Sequence, residues 1–215
     1  MEHGVYLVCD GMGGAAAGEI ASSLAVDEVM HSLTARDPIA PLREVAERAI
    51  SLANQAIYSR AQRNPNFKGM GTTLVSLLTE DRRVLIFNIG DSRGYRMRNR
   101  RLEQVTLDHS LVEEQVRIGR MTPAEARRSQ YRNVITRALG TQCQVTPDIF
   151  ELEAEPGDLF LLCSDGLTRE LSDPIIESLL SIDLPLDQLC ARLVGAANKA
   201  GGHDNVTCLL IRAGE

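Results

Sequence analysis

The chain has 215 residues, 44% of them apolar and 24% charged, with a formal net charge of −6. That length suits one globular domain with a substantial core, and the composition excludes wholesale disorder. No apolar run approaches a membrane span, Met1-Glu2-His3 lacks the basic start of a signal peptide, and the acidic balance argues against nucleic acid as the main partner.

Val5-Tyr6-Leu7-Val8-Cys9 is a continuous apolar run that reads as a buried strand stopping at Asp10-Gly11. A glycine-rich turn, Gly11 to Gly18, leads into a helix near 19–33. Pro41 opens a second helix to about Arg63, with Val45, Ala49, Leu52, Ala53, Ala56 and Ile57 on one stripe. Stretches 72–78 and 84–89 predict adjacent antiparallel strands joined at Glu80-Asp81-Arg82. A further hairpin, 94–98 and 102–105, turns at Asn99-Arg100. Arg93, Arg96, Arg98, Arg100 and Arg101 cluster there, and alternation around a turn favours a solvated hairpin over a nucleic-acid patch.

Residues 107–133 are polar and charged, with a capping box in Thr122-Pro123-Ala124-Glu125, and read as a small helical insert. Strands follow near 145–151 and 159–163, then a helix over 174–180 capped by Asp173. Leu186, Leu189, Cys190, Leu193, Val194 and Ala197 form a helical face ended by Gly201-Gly202, and 206–212 is the last strand. Strands in runs and helices in pairs indicate an α+β fold. The five cysteines, Cys9, Cys143, Cys163, Cys190 and Cys208, show no C-x-x-C or zinc spacing, which points to reduced thiols and a cytoplasmic protein.

The informative feature is where four carboxylates fall. Asp10, Asp91 and Asp165 each follow an apolar strand, and Asp204 precedes the last one. Several carboxylates converging on one rim repel one another unless a cation sits between them. Oxygen ligands without cysteine or histidine select hard ions such as Mg²⁺ or Mn²⁺, and a pair of such ions suits phosphoryl transfer to water. Asp-Gly is also a common turn pair, so spacing alone leaves a turn role open for each aspartate. Gly11-Met12-Gly13-Gly14-Ala15-Ala16 fits the G-x-G-x-x-A dinucleotide pattern as well. Against that reading, Asp10 would face the pyrophosphate with the wrong charge.

Asp10-Gly11-Met12-Gly13-Gly14, followed by Ala17-Gly18-Glu19, resembles the metal-dependent Ser/Thr protein phosphatases of type 2C, in their bacterial branch. The similarity continues through Gly69-Met70-Gly71-Thr72-Thr73, Gly90-Asp91-Ser92-Arg93 and Thr136-Arg137-Ala138-Leu139-Gly140. It ends with Ser164-Asp165-Gly166-Leu167 and Gly202-His203-Asp204-Asn205-Val206-Thr207. The resemblance implies a central antiparallel β-sandwich flanked by helix pairs in four αββα layers, formed by one domain over 1–215. It implies two Mn²⁺ or Mg²⁺ ions, with Asp10 bridging both, the Gly11 carbonyl on the first, and Asp165 and Asp204 on the second. A third ion would take Asp91 together with Asp165. The 107–133 insert resembles the family's flap, with Arg117, Arg120 and Arg127 expected to bias substrate choice.

The activity implied is hydrolysis of phosphoserine and phosphothreonine on proteins by a metal-bridging hydroxide, with Asp10, Asp165 and Asp204 as the catalytic set. Substrates would be phosphoproteins supplied by a Ser/Thr kinase, acted on by a monomer with no membrane or nucleic-acid partner. Two departures stand out. The family's Arg-x-x-Asn-Glu-Asp segment, on strands ahead of Val5, is absent from this sequence. That absence leaves a phosphoprotein-binding pseudophosphatase as the alternative and predicts an exposed sheet edge. Met12 and Ala15 stand where some relatives carry histidine, so no general acid is assigned; His109 and His203 are the only histidines near the motifs.

Overall fold

The computed structural model describes residues 4–37 and 39–214; Met1-Glu2-His3, read above for the absence of a leader, lies outside them. In chain order, β1 (Val5–Val8) and the short β2 (Gly11–Met12) precede α1 (Ala15–Thr34) and α2 (Leu42–Arg63). Next come β3 (Gly71–Thr72), β4 (Leu74–Glu80), β5 (Arg83–Ile89), β6 (Arg93–Arg98) and β7 (Arg101–Gln104). The insert forms α3 (Leu111–Arg117) and α4 (Pro123–Arg128). It is followed by β8 (Asp148–Glu153), β9 (Leu159–Cys163), α5 (Asp165–Thr168), α6 (Asp173–Leu180), α7 (Leu186–Ala200) and β10 (Cys208–Arg212).

Two four-stranded antiparallel sheets, β1-β4-β5-β8 and β10-β9-β6-β7, pack face to face, and β2 and β3 make a two-stranded ribbon beside them. Strand alternation explains the layers. Val75, Leu77, Val84 and Ile86 of one sheet meet Phe160 and Leu162 of the other. The intervening residues Leu74, Leu78, Leu85 and Phe87 point outward under α1 and α2. Leu159, Leu161 and Cys163 do the same under α6 and α7. Both faces of these strands are therefore covered, which is why they read as unbroken apolar runs rather than alternating ones. The four-layer αββα sandwich is the fold expected, and β1 and β10 each pair on one side only among the described residues.

Several local expectations need correction. The first helix starts at Ala15, not near Glu19, because only Gly13 (φ 103°) and Gly14 (φ 94°) occupy the left-handed backbone that blocks a helix. The buried stripe of α2 runs through Leu42, Ala46, Ala49, Ile50, Ala53 and Ile57, while Leu52 is exposed. Its small residues face the alanines of α1, so close helix packing rather than residue size chose the face. Ser172, not Asp173, is the N-cap of α6; Asp173 instead accepts a hydrogen bond from the Tyr95 hydroxyl at 3.1 Å. The basic cluster is read as a solvated hairpin, and three of its five arginines are ion-paired. Arg93 pairs with Asp108, Arg96 with Glu103, and Arg98 with Asp158 and Glu155, all at 2.6 to 2.7 Å. All ladders among the described strands are antiparallel, so the glycine pattern after β1 opens no dinucleotide βαβ unit.

Candidate metal centre

Strand direction gathers the aspartates. Pairing of Val8 with Val75, of Leu74 with Ile89, and of Cys163 with both Arg93 and Cys208 puts the ends of β1, β5, β6, β9 and β10 at one rim. Asp10 follows β1. Its backbone N–H donates to Thr73 Oγ1 at 2.9 Å, and its carbonyl accepts from the Thr73 N–H and the Thr72 hydroxyl, both at 2.9 Å. The Thr73 and Ser92 hydroxyls are 2.7 Å apart, tying that anchor to the turn bearing Asp91. Gly11 packs its backbone on the Gly18 carbonyl of α1, leaving no room for a Cβ.

Asp165 opens the single turn α5 directly after β9. Gly166 lets it lie against the Asn205 carbonyl, where a Cβ would collide. Ser164 completes the clasp: its N–H donates to the Thr207 carbonyl, and its Oγ accepts from the Thr207 N–H, each at 3.0 Å. Asp165 and Asp204 thus meet although 39 positions separate them in sequence.

Electrostatics shows what the cluster lacks. Burial, then the charges of Asp165 and Asp204, push Asp10 up to about 7. Burial, then Asp165 and Asp108, push Asp91 up to about 7, and burial raises Asp165 as well. Asp165 Oδ1 is buried and has no hydrogen-bond partner among the described residues. A buried carboxylate oxygen without a donor is costly unless a cation meets it. The all-oxygen donor set fits hard divalent ions such as Mg²⁺ or Mn²⁺. Burial pushes the thiol of neighbouring Cys9 up to about 12 and raises that of Cys163, so neither is a nucleophile at neutral pH.

Sequence reasoning missed Arg169, whose guanidinium contacts Asp165, bonds Asp204 at 3.0 Å and lies 4.0 Å from Asp91. Its i,i+4 spacing from Asp165 was the available signal, obscured because the helix here is a single turn. Neither His109 nor His203 contacts the rim carboxylates. His109 is buried, its Nδ1 accepting from the Gly90 N–H at 3.1 Å and its Nε2 lying 3.2 Å from Asp148. That pattern assigns the proton to Nε2. His203 is exposed and pairs with Glu170 at 2.8 Å.

A cleft of about 490 Å³ leads from the rim, with Asp91, Asp165 and Arg169 on one side and Val112, Glu113 and Arg127 of the insert on the other. Ser110 caps α3 and the Thr122–Glu125 capping box forms as expected. Arg117 and Arg120 do not line the cleft, whereas Arg132, not anticipated, does.

Residues 2–210 match the family model described as Protein phosphatase 2C. The serine/threonine phosphatase stp of Listeria monocytogenes is 36% identical over 210 residues, covering 96% of this chain and 83% of the relative. The crystal structure of Stp1 from Staphylococcus aureus superposes with a TM-score of 0.93 at 38% identity, covering 98% of this chain and 84% of that one. The catalytic domain of PstP, crystallised with two manganese ions, superposes at 0.89 with 37% identity, covering 99% and 91%.

Proposed function

Because the chain belongs to the protein phosphatase 2C family, we propose that Asp10, Gly11, Asp91, Asp165 and Asp204 form the centre at which it acts on phosphorylated proteins. The chain is a metal-dependent Ser/Thr protein phosphatase working at a binuclear Mn²⁺ or Mg²⁺ site. When bound, the two ions supply Lewis-acid charge for the phosphoryl oxygens and lower the pKa of water to near neutrality. On this reading Asp10 and the Gly11 carbonyl would hold the first ion, and Asp165 and Asp204, with Asp10, would hold the second. Asp91 with Asp165 offers a third position.

The observation that carries the assignment is Asp165 Oδ1, buried without a partner beside Asp10 and Asp91, whose burial and crowding push both up to about 7. The protein's own contribution is positioning. Thr72 and Thr73 hold the Asp10 backbone, and Ser164 and Gly166 hold the Asp165 turn against the Asp204 loop, so folding rather than metal binding brings these carboxylates together. The buried thiols of Cys9 and Cys163 offer no cysteine nucleophile, which is consistent with direct attack by a water on phosphorus.

The 107–133 segment acts as a flap within a single 1–215 domain, and Arg127 and Arg132 bias the cleft toward anionic flanks of the substrate. Substrates are products of a Ser/Thr kinase, met by a monomer. Free thiols at all five cysteines support a cytoplasmic location, and no described helix is long and apolar enough to cross a membrane.

The test is hydrolysis of p-nitrophenyl phosphate and a phosphothreonine peptide in Mn²⁺ against EDTA, with Asp165→Ala beside the wild type. Turnover present only with metal, and reduced at least 100-fold in the variant, is expected. Equal turnover in the variant would sink the assignment.

A further inference from the structure

Among the described residues, Arg169 brings a cation to the rim. The Arg169 guanidinium contacts Asp165 Oδ2 through Nη2, donates from Nη1 to Asp204 Oδ2 at 3.0 Å, and lies 4.0 Å from Asp91 Oδ2. The adjacent Glu170 is turned to a different partner, its Oε1 lying 2.8 Å from the His203 ring. The Arg169 side chain is 30% exposed and borders the cleft, so it has somewhere to go.

We propose that Arg169 is a built-in competitor for metal: its guanidinium and a divalent ion claim the same oxygens of Asp165 and Asp204, so loading the centre drives Arg169 into the cleft. The proposal rests on the metal-site reading above. A guanidinium does not deprotonate in proteins, so no pH change withdraws its charge. Two cations a few ångströms apart repel, and a divalent ion that gains several oxygens outcompetes one fork. The apparent metal affinity is then the intrinsic affinity reduced by the fraction of molecules in which those oxygens are free of Arg169. Arg169 also screens the carboxylates from one another when no ion does, so metal-free protein depends on it for stability.

The experiment is calorimetric titration of Mn²⁺ into the EDTA-stripped, dialysed full chain, with thermal melts in EDTA and in Mn²⁺. Arg169→Met keeps the apolar stem and removes the charge; Arg169→Lys keeps the charge without the fork; Asp165→Asn tests the underlying site. Arg169→Met is expected to bind Mn²⁺ roughly tenfold more tightly. It should also melt below wild type in EDTA and regain the wild-type midpoint in Mn²⁺. Arg169→Lys should gain less. Unchanged or weaker binding by Arg169→Met overturns the proposal, because Arg169 would then be a bystander or a support for the ligands. If Asp165→Asn binds as tightly as wild type, the site reading itself fails; if it loses binding while Arg169→Met gains none, only the Arg169 proposal does. Should Arg169→Met not refold in Mn²⁺, the lysine variant decides, a gain supporting competition and none refuting it.

Discussion

Each aspartate at the rim owes its place to small residues and hydroxyls beside it. Gly166 is the sharpest case: a Cβ there would strike the Asn205 carbonyl, the contact that brings Asp165 to the Asp204 loop. Overpacking a close backbone contact typically costs about 1–3 kcal/mol. Gly166→Ala is therefore expected to lower stability by about 2 kcal/mol and weaken Mn²⁺ binding, read by chemical denaturation and calorimetry. A variant with wild-type values for both would show that the two loops are not clasped there. Thr73 is the other hinge, receiving the Asp10 N–H and meeting Ser92, so the Asp10 and Asp91 turns share one hydroxyl.

Elements do their work in layers. Phe160 of β9 is 2% exposed and fills the space between the two sheets with Val75, Leu77 and Ile86, while its strand neighbours Leu159 and Leu161 pack under α7. Phe160→Ala is expected to destabilise the fold by about 3–5 kcal/mol, since it removes transfer energy and leaves a cavity between rigid sheets. Urea unfolding measures it; a loss below 1 kcal/mol would mean that the sheets collapse onto the gap. The same alternation made β4, β5 and β9 legible as buried strands, because helices cover their outer faces. The buried stripe of α2 was not legible, since which of its apolar residues faces inward depends on the alanines α1 presents.

At the scale of the whole molecule, His109 joins three distant segments. It accepts from the Gly90 N–H, its Nε2 lies 3.2 Å from Asp148 of β8, and its backbone carbonyl accepts from the Thr136 N–H at 2.8 Å. Burial lowers its pKa against the opposing pull of Asp148. A lowered folded value means that its stabilisation is fully present above the unfolded pKa of about 6.5 and is lost as pH falls through the folded value. The wild-type advantage in melting temperature over His109→Asn should therefore shrink between pH 7.5 and pH 5. A constant difference would show that His109 does not titrate in this window.

Local chemistry settled much of this protein before any contact was known. The apolar runs of β4, β5 and β9, the hairpin at Asn99-Arg100 (φ 52° and 62°) and the Thr122–Glu125 capping box are determined within a few residues and formed as read, whereas the first run forms an edge strand with only Val8 buried. The four aspartates were equally visible, because each borders an apolar run, Asp10, Asp91 and Asp165 after one and Asp204 before one. Only the tertiary structure decided that their strand ends share one rim, that Ser172 rather than Asp173 caps α6, and that Arg169 reaches three carboxylates. The physical reason is range. Backbone preference and side-chain alternation act over one turn or one strand, whereas a carboxylate's charge and burial depend on groups that only folding brings near.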